Sequence, residues 1–333
     1  MGLGSWSASS YSKSTASKIA SGTTFGYDST ARSTGLYKAH ESLDPTVKNA
    51  DGKQIRESRD SVDHPNSVPI VVGFDATGSM GSVPRVVQKK LSGLFGLLTR
   101  KGYVEDPQIS ITAYGDAECD RVPLQISQFE SDNKIDDNLD NLFLEGGGGG
   151  NGGETASLLW YYLINHTATD AWDKRGKKGY LFVIADERAL DLQASWVKQF
   201  IGVDEVVGDI TAAGLAKDLK KKWDVYILLI DNSSAKWQGS EKQYTDLFGK
   251  DHVLIVENPE TISETIGAAL GRLENGDLDD DDLINDMVSL GSTKKDAIEA
   301  AKAVARIGGG GRGTLATGNV SLAVDTDDAP LIP

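Results

Sequence analysis

Two continuous apolar runs, each closed by an acid, constrain this chain more than any other feature. They are Ile70-Val-Val-Gly-Phe-Asp75 and Gly179-Tyr-Leu-Phe-Val-Ile-Ala-Asp186. Neither alternates apolar with polar residues, as a strand with one wet face would. An unbroken run is expected where helices cover both faces of a strand, the usual condition in a parallel sheet. Further core strands are expected at Gln108 to Tyr114, Asp224 to Ile230 and His252 to Val256, with the first strand beginning at Ser67. Helices are expected over 83–100, 154–166, 190–201, 209–222, 241–249 and 260–273. This alternation predicts an α/β fold, a doubly wound and mostly parallel central sheet flanked by helices, with right-handed crossovers.

The turn after the first run reads Asp75-Ala-Thr-Gly-Ser79. A carboxylate and two hydroxyls at alternating positions project the same way from an extended turn, and such hard oxygen ligands suit Mg²⁺ or Mn²⁺. The competing reading is a Ser/Thr-rich cap for the helix that follows. That helix is well marked: Val83, Val86, Val87, Leu91, Leu94, Leu97 and Leu98 recur at helical spacing, and Pro84 falls in the first turn, where its missing N–H costs nothing. Ligands of a parallel sheet stand at the carboxyl ends of its strands, which places Asp186 beside Asp75. Between them lies Leu144-Glu-Gly-Gly-Gly-Gly-Gly-Asn-Gly-Gly-Glu-Thr-Ala156, whose glycines allow close backbone approach to a ligand. It ends in Asn151, Glu154 and Thr155, each able to offer an oxygen.

These motifs, in this order, resemble the von Willebrand factor A domain with its metal-ion-dependent adhesion site, in the form found in intracellular bacterial and viral proteins. The resemblance covers about residues 66 to 273. Asp75, Thr77 and Ser79 match the family's Asp-x-Ser/Thr-x-Ser motif, and Asp186 matches its later strand-end Asp. Thr155 is the choice for the intervening Thr, with Asn151 and Glu154 as rivals. The resemblance implies a divalent cation held by Asp75, Thr77, Ser79, Thr155 and Asp186, with an open position for an Asp or Glu supplied by a partner protein. It also implies recognition rather than catalysis, with a MoxR-type AAA+ ATPase as one expected partner.

Composition narrows the remaining classes. A formal charge of −15 disfavours nucleic acid. Lys220-Lys221-Lys222 is read as the basic end of a helix, and the acids at 277 and 279–282 as a solvated linker and helix start. One cysteine, Cys119, rules out an intramolecular disulfide, and the acids around it should raise its pKa and dull it as a nucleophile. His40, His64, His166 and His252 are scattered without ligand spacing. No apolar run is long enough to span a bilayer and residues 1–6 do not read as a signal segment, so neither membrane nor export is expected. A cytoplasmic location is expected, alternatively within a viral particle.

Residues 1–65, rich in Ser, Thr, Gly, Lys and Asp, are expected to form an extended arm. Trp6, Tyr11, Phe25, Tyr27 and Tyr37 could anchor it to its own domain or a neighbouring subunit. Residues 66–275 form the α/β domain. Residues 276–333 are expected to hold an acidic linker, two short helices at 283–290 and 294–305 capped by Ser292 or Thr293, and an extended tail. Asp116 and Asp231, which also follow strands, are read as turn residues and left out of the site. Three functions fit, in falling order: a metal-dependent protein-binding module, a structural protein of a multi-subunit lattice such as a phage virion, and a metal-dependent hydrolase. No residue is placed as a general base for the last of these.

Overall fold

The computed structural model describes residues 4–21, 25–147, 152–204, 206, 208–230 and 235–307. Helices α1 (Ala8–Ser21) and α2 (Gly26–Thr34) come first, then the short strand β1 (Arg56–Ser58). The first apolar run lies in β2 (Val68–Asp75), every residue of which is buried. A 3-10 turn at Gly78–Met80 leads into α3 (Val83–Phe95), which continues through a wider π-type turn, Gly96–Arg100. Next come β3 (Pro107–Tyr114), β4 (Leu124–Ile126), α4 (Lys134–Asp140), the two-residue β5 (Gly153–Glu154) and α5 (Ala156–Asn165). They are followed by β6 (Thr167–Thr169), α6 (Asp170–Arg175), β7 (Gly179–Ala185), β8 (Arg188–Ala189) and α7 (Ala194–Trp196), which runs on to Ile201. The last part holds α8 (Ala212–Lys222), β9 (Trp223–Ile230), α9 (Ala235–Phe248), β10 (Val253–Val256), α10 (Ile262–Glu274), α11 (Asp280–Ser289) and α12 (Lys294–Ala303).

Six strands form the main sheet in the order β10-β9-β7-β2-β3-β4. All pairings are parallel except β3 with β4. The expected doubly wound sheet is therefore present, with an antiparallel edge strand added. Strand β2 sits inside it, held in register by Ile70 opposite Tyr180 of β7 and Asp75 opposite Tyr114 of β3. Its side chains divide between two cores, as the two-residue period of a strand requires. Ile70, Val72 and Phe74 join α3, α10, α11 and α12 on one face, and Val71 joins α5, α8 and α9 on the other. Gly73 lets α5 come close, since a Cβ there would stand 2.8 Å from Leu159 Cδ2.

The expected extended arm is not what the structure shows. Residues 8–21 and 26–34 are helical, and the segment is docked on its own domain. Trp6 stacks on Phe95 of α3 at 4.2 Å between ring centroids, while Tyr11 and Phe25 are buried in the main core. Lys18 Nζ donates to Asp136 Oδ2 at 2.7 Å and also pairs with Asp140, tying α1 to α4. Low overall hydrophobicity misled here, because a few well-spaced aromatics meet an apolar surface already formed by α3. Downstream, Ile126 N–H donates to Leu43 O at 2.8 Å, and the buried Arg56 donates through Nε to Ile126 O at 3.0 Å. The β4 edge of the sheet is covered in this way.

The C-terminal helices pack as a hairpin over α3 and α10. Leu283, Met287, Ala297, Ala300, Ala301 and Val304 enter the main core. Lys90 Nζ on α3 reaches Glu264 Oε1 at 2.8 Å and Asp296 Oδ2 at 3.6 Å, joining three helices. Asp279 and Asp282 form a reciprocal capping box at the start of α11, and Thr293, one of the two expected caps, accepts from Asp296 N–H to cap α12. The tail expected beyond Gly313 lies outside the described residues.

The docked N-terminal segment should carry measurable stability. Phe25→Ala removes a side chain that is 2 % exposed and should cost about 3 kcal/mol, read as a lower urea midpoint at unchanged m-value. Deletion of residues 1–34 should lower the midpoint further. An unchanged midpoint in both variants would return the segment to the status of a loose arm.

Candidate functional site

The site forms at the carboxyl end of β2, where a fully buried strand delivers a fully buried acid. Asp75 is 0 % exposed, and its Oδ1 accepts from the N–H of Thr77 at 2.7 Å. The Thr77 hydroxyl also bonds the same carboxylate, so the Asp75-x-Thr77 turn closes on itself. The other oxygen, Oδ2, has no hydrogen-bond partner among the described residues. Ser79 lies in the 3-10 turn at Gly78–Met80, and its side chain is outside the described residues.

A second wall comes from the loop after β3. Gly115 O accepts from Thr155 N–H at 3.0 Å, and Ala117 N–H donates to Thr155 Oγ1, also at 3.0 Å. These two bonds pin Thr155, at the start of α5, to the loop beside Thr77. Asp116 accepts from Glu118 N–H at 2.9 Å, while its own N–H donates to Asp120 Oδ2 at 2.7 Å. It is a turn former, as its place after a strand implied. No room remains at Gly115, where an added Cβ would collide with Asp120 Oδ2.

The start of the glycine loop lies against the Asp75 turn. Gly78 N–H donates to Gly147 O at 2.6 Å, and Gly146 N–H to Ala76 O at 3.4 Å. A Cβ at Gly78 would stand 3.0 Å from Gly146 O and 3.2 Å from Gly147 O, so the two backbones can touch only because Gly78 has no side chain. Residues 148–151 are outside the described ones, and with them the candidate Asn151. Past them, Glu154 pairs in β5 with β8 beside Glu187, and Leu190 N–H donates to Glu154 O at 2.9 Å.

Electrostatics single out the same place. Burial raises the Asp75 carboxyl well above the ordinary carboxylate range, and the neighbouring charges of Asp186 and Asp120 raise it further against the Thr77 hydrogen bonds. Glu154 is raised by burial and by Asp75, Asp116, Asp120 and Glu187. Asp120 is pushed up to about 6 by burial, with Glu145 and Asp116 adding to it. The neighbouring charges that raise these three carboxyls are all acidic. Two buried phenols stand close by, with Tyr114 donating to Ile184 O at 2.9 Å and Tyr244 to Glu187 O at 3.0 Å.

Four of the five residues named from the sequence therefore have a described place in one neighbourhood. Asp75 and Asp186 interact electrostatically, Thr77 binds Asp75, and Thr155 is fixed beside them through Gly115 and Ala117. Of the two rivals to Thr155, Glu154 is buried in the same cluster, and its Oε2 has no hydrogen-bond partner among the described residues. Asp120 was not anticipated. Its signal in the sequence is the Asp116-x-x-x-Asp120 spacing, which closes a tight turn directly after a strand. Cys119 in that turn is held inert, its thiol pushed up to about 12 by burial and by Asp120 and Asp116.

Among the described residues no three His, Cys, Asp or Glu side chains stand close enough to form a metal cage. A cation here would therefore rest on hydroxyls and water as much as on carboxylates, which suits Mg²⁺ or Mn²⁺ better than zinc. The uncoordinated Asp75 Oδ2 and Glu154 Oε2, buried among acids, fit such an ion. The four histidines take no part. Each is bonded elsewhere, His166 Nδ1 to Gln54 O at 2.9 Å and His252 Nδ1 to Val225 O at 2.8 Å, for example.

No protein-family model matches the chain, and neither does any curated protein. Among solved structures it is similar to the pilus adhesin SpaC from Lactobacillus rhamnosus GG, at 12 % identity and a TM-score of 0.46, over 66 % of this chain and 31 % of that one. It is similar to the vWF domain of the type V pili tip protein Mfa5 from Porphyromonas gingivalis, at 12 % identity and a TM-score of 0.43, over 64 % of this chain and 97 % of that domain. A third is proximal thread matrix protein 1 from the mussel byssus, at 8 % identity and a TM-score of 0.41, over 63 % and 46 % of the two chains. The chain thus spans about a third of the adhesin's length.

The raised carboxyls give the chelated protein a defined pH response. An unfolded chain releases its carboxyl protons near pH 4, whereas folded Asp75 and Glu154 hold theirs higher and folded Asp120 to about 6. Over that interval the folded state binds more protons, so stability must fall as pH rises. In excess chelator the melting temperature should drop from about pH 4 upward through about pH 6. Asp75→Asn, which keeps the oxygen that Thr77 N–H contacts, should flatten the slope.

Proposed function

We propose that this chain is a metal-dependent protein-binding module. A divalent cation, Mg²⁺ or Mn²⁺, would be held by Asp75, Thr77, Ser79, Thr155 and Asp186, and would supply an open position for a carboxylate brought by a partner protein. The observation that carries this reading is the orphaned Oδ2 of Asp75, wholly buried and surrounded by acids at the end of an inner strand. Burial of an unpaired carboxylate is too costly to persist without a proton or a cation.

The chain's own residues divide the work. Thr77 fixes one oxygen of Asp75 and leaves the other turned to the site. The bonds from Thr155 and Ala117 hold the second hydroxyl in place, and the rigid sheet beneath prevents the acids from moving apart. Neutral hydroxyls in place of further carboxylates would leave positive charge on a bound ion, and that residual charge is what attracts an outside acid. The reading is one of recognition, with no catalytic step.

Two expectations test it. With Mg²⁺ or Mn²⁺ at about a hundred times its dissociation constant, the fold should gain roughly 2.7 kcal/mol, and Asp75→Ala should abolish the gain. A wild-type melting temperature indifferent to both ions would remove the metal from the account. A pull-down from the native host, run with Mg²⁺ and again with chelator, should then return a partner only in the first. Recovery of an AAA+ ATPase would make the chain an adaptor, whereas recovery of many copies of itself in a large particle would favour the lattice role.

A further inference from the structure

Helix α2 grips the candidate site's glycine loop at its root. The helix rests on a small apolar core apart from the two main ones, in which its Ala31 packs with Ala39, Val122 and Phe143. Two of its side chains then reach the backbone of residues 144 and 145. Asp28 Oδ1 accepts from Leu144 N–H at 3.1 Å, and Arg32 Nη2 donates to Leu144 O and, at 3.4 Å, to Glu145 O. The pair is held ready across one helical turn, with Arg32 Nε donating to Asp28 Oδ1 at 3.1 Å and to Oδ2 at 3.0 Å. The Arg32 guanidinium also lies over the Phe143 ring, 5.1 Å from its centroid.

The body of the domain holds the same short stretch from the other side. Phe143 N–H donates to Gln125 Oε1 at 2.8 Å, its carbonyl accepts from Gln125 Nε2 at 2.7 Å, and Glu145 Oε1 accepts from the N–H groups of Arg121 and Val122 at 2.6 and 2.7 Å. Two residues further on, Gly147 O accepts from the N–H of Gly78, which lies between Thr77 and Ser79. Glu145 and Gly147 are separated by at most roughly 7 Å of chain, too little to absorb a displacement of the root without moving Gly147. Gly146 and Gly147 have no side chains with which to hold themselves. Their place against the Asp75 turn is therefore set by whatever fixes Leu144 and Glu145.

We propose that α2 is a clamp on the glycine-loop wall of the site, with Arg32 and Asp28 as positioning residues that hold Leu144–Gly147 against the Asp75 turn and so couple docking of the N-terminal segment to the site's affinity for its cation. The coupling rests on the metal reading given above, whereas the clamp stands without it. Arg32 and Asp28 touch neither Asp75 nor any other candidate ligand, and they act only through the backbone they hold. Such coupling is reciprocal, so an ion in the site would in turn tighten α2 on the loop.

Hydrogen exchange, followed residue by residue by NMR in excess chelator, reads the clamp with no metal present. Arg32→Ala removes a side chain that is 45 % exposed and whose ion pair with Asp28 contributes little to global stability, so the variant should fold. Its Gly78 amide, which Arg32 does not touch, should exchange at least about tenfold faster than in the wild type, with the β7 amides unchanged. Lys18→Ala loosens α1 from α4 and leaves the named α2 contacts in place, so its Gly78 amide should keep the wild-type rate. Unchanged exchange at Gly78 in Arg32→Ala, or equal acceleration in Lys18→Ala, overturns the clamp. Titration of the three proteins with Mn²⁺ reads the coupling, and the dissociation constant should weaken about tenfold in Arg32→Ala alone. Equal Mn²⁺ affinity in all three overturns the coupling. A wild type that binds no Mn²⁺ overturns the metal reading and the coupling with it, and leaves the clamp to stand or fall on the exchange result.

Discussion

Everything at the candidate site depends on the burial of one carboxylate. Asp75 ends an inner strand whose eight residues are all buried, and hydrogen bonding on both sides to β3 and β7 leaves that strand no freedom to withdraw it. Burial of an uncompensated charge would cost several kcal/mol, and a group in that position ordinarily neutralises itself. Thr77 supplies partial compensation to one oxygen only. The neighbouring Asp186, Asp120 and Glu154 make the position worse for a charge rather than better. Local cost of this sort commonly collects where proteins bind ligands.

The sheet and the loops share the task. Strand β2 sets the position of the acid, but the hydroxyls come from a turn and a helix start that the sheet alone does not fix. They are set by backbone contacts: Gly115 O to Thr155 N–H, Thr155 Oγ1 to Ala117 N–H, and Gly78 N–H to Gly147 O. The last of these needs a residue without a side chain at Gly78, while the missing side chain of Gly115 leaves room for the Asp120 carboxylate. The glycine run between Glu145 and Glu154 thus has a packing role at its start, whatever its middle residues do when a ligand is present.

Legibility from sequence followed the strength of the local signal. The inner strands were evident because a strand buried on both faces must be apolar throughout, and β2, β3, β7, β9 and β10 all fall within a residue or two of their expected bounds. A helix with a wet face, such as α3, showed the 3.6 period equally well. Helices α1 and α2 escaped notice since their sequences are polar and they owe their place to Trp6, Tyr11 and Phe25 meeting surfaces built by distant residues. Strand β4 was too short to announce itself, and β1, β5, β6 and β8 pair only with each other. At the site, Asp75, Thr77 and Asp186 were readable because strand ends are readable. Asp120 was not, since its importance arises from its burial next to Glu145 and Asp116, a tertiary fact.

On the proposed reading a proton and a cation would compete for the same place. The acids that hold protons above their ordinary range in the free site are the ones a divalent ion would have to displace protons from, so binding must release protons, and its apparent affinity must rise with pH. The loss of stability that rising pH imposes on the free site is then recovered when an ion is bound, because the same charges that repel one another attract the metal. On the proposed reading a partner's carboxylate would add one more negative charge to this crowd, which is tolerable only while the ion is in place. Recognition would thereby be gated by metal without any moving part: the protonated acids of the free site offer an incoming carboxylate no positive charge, whereas a bound ion does.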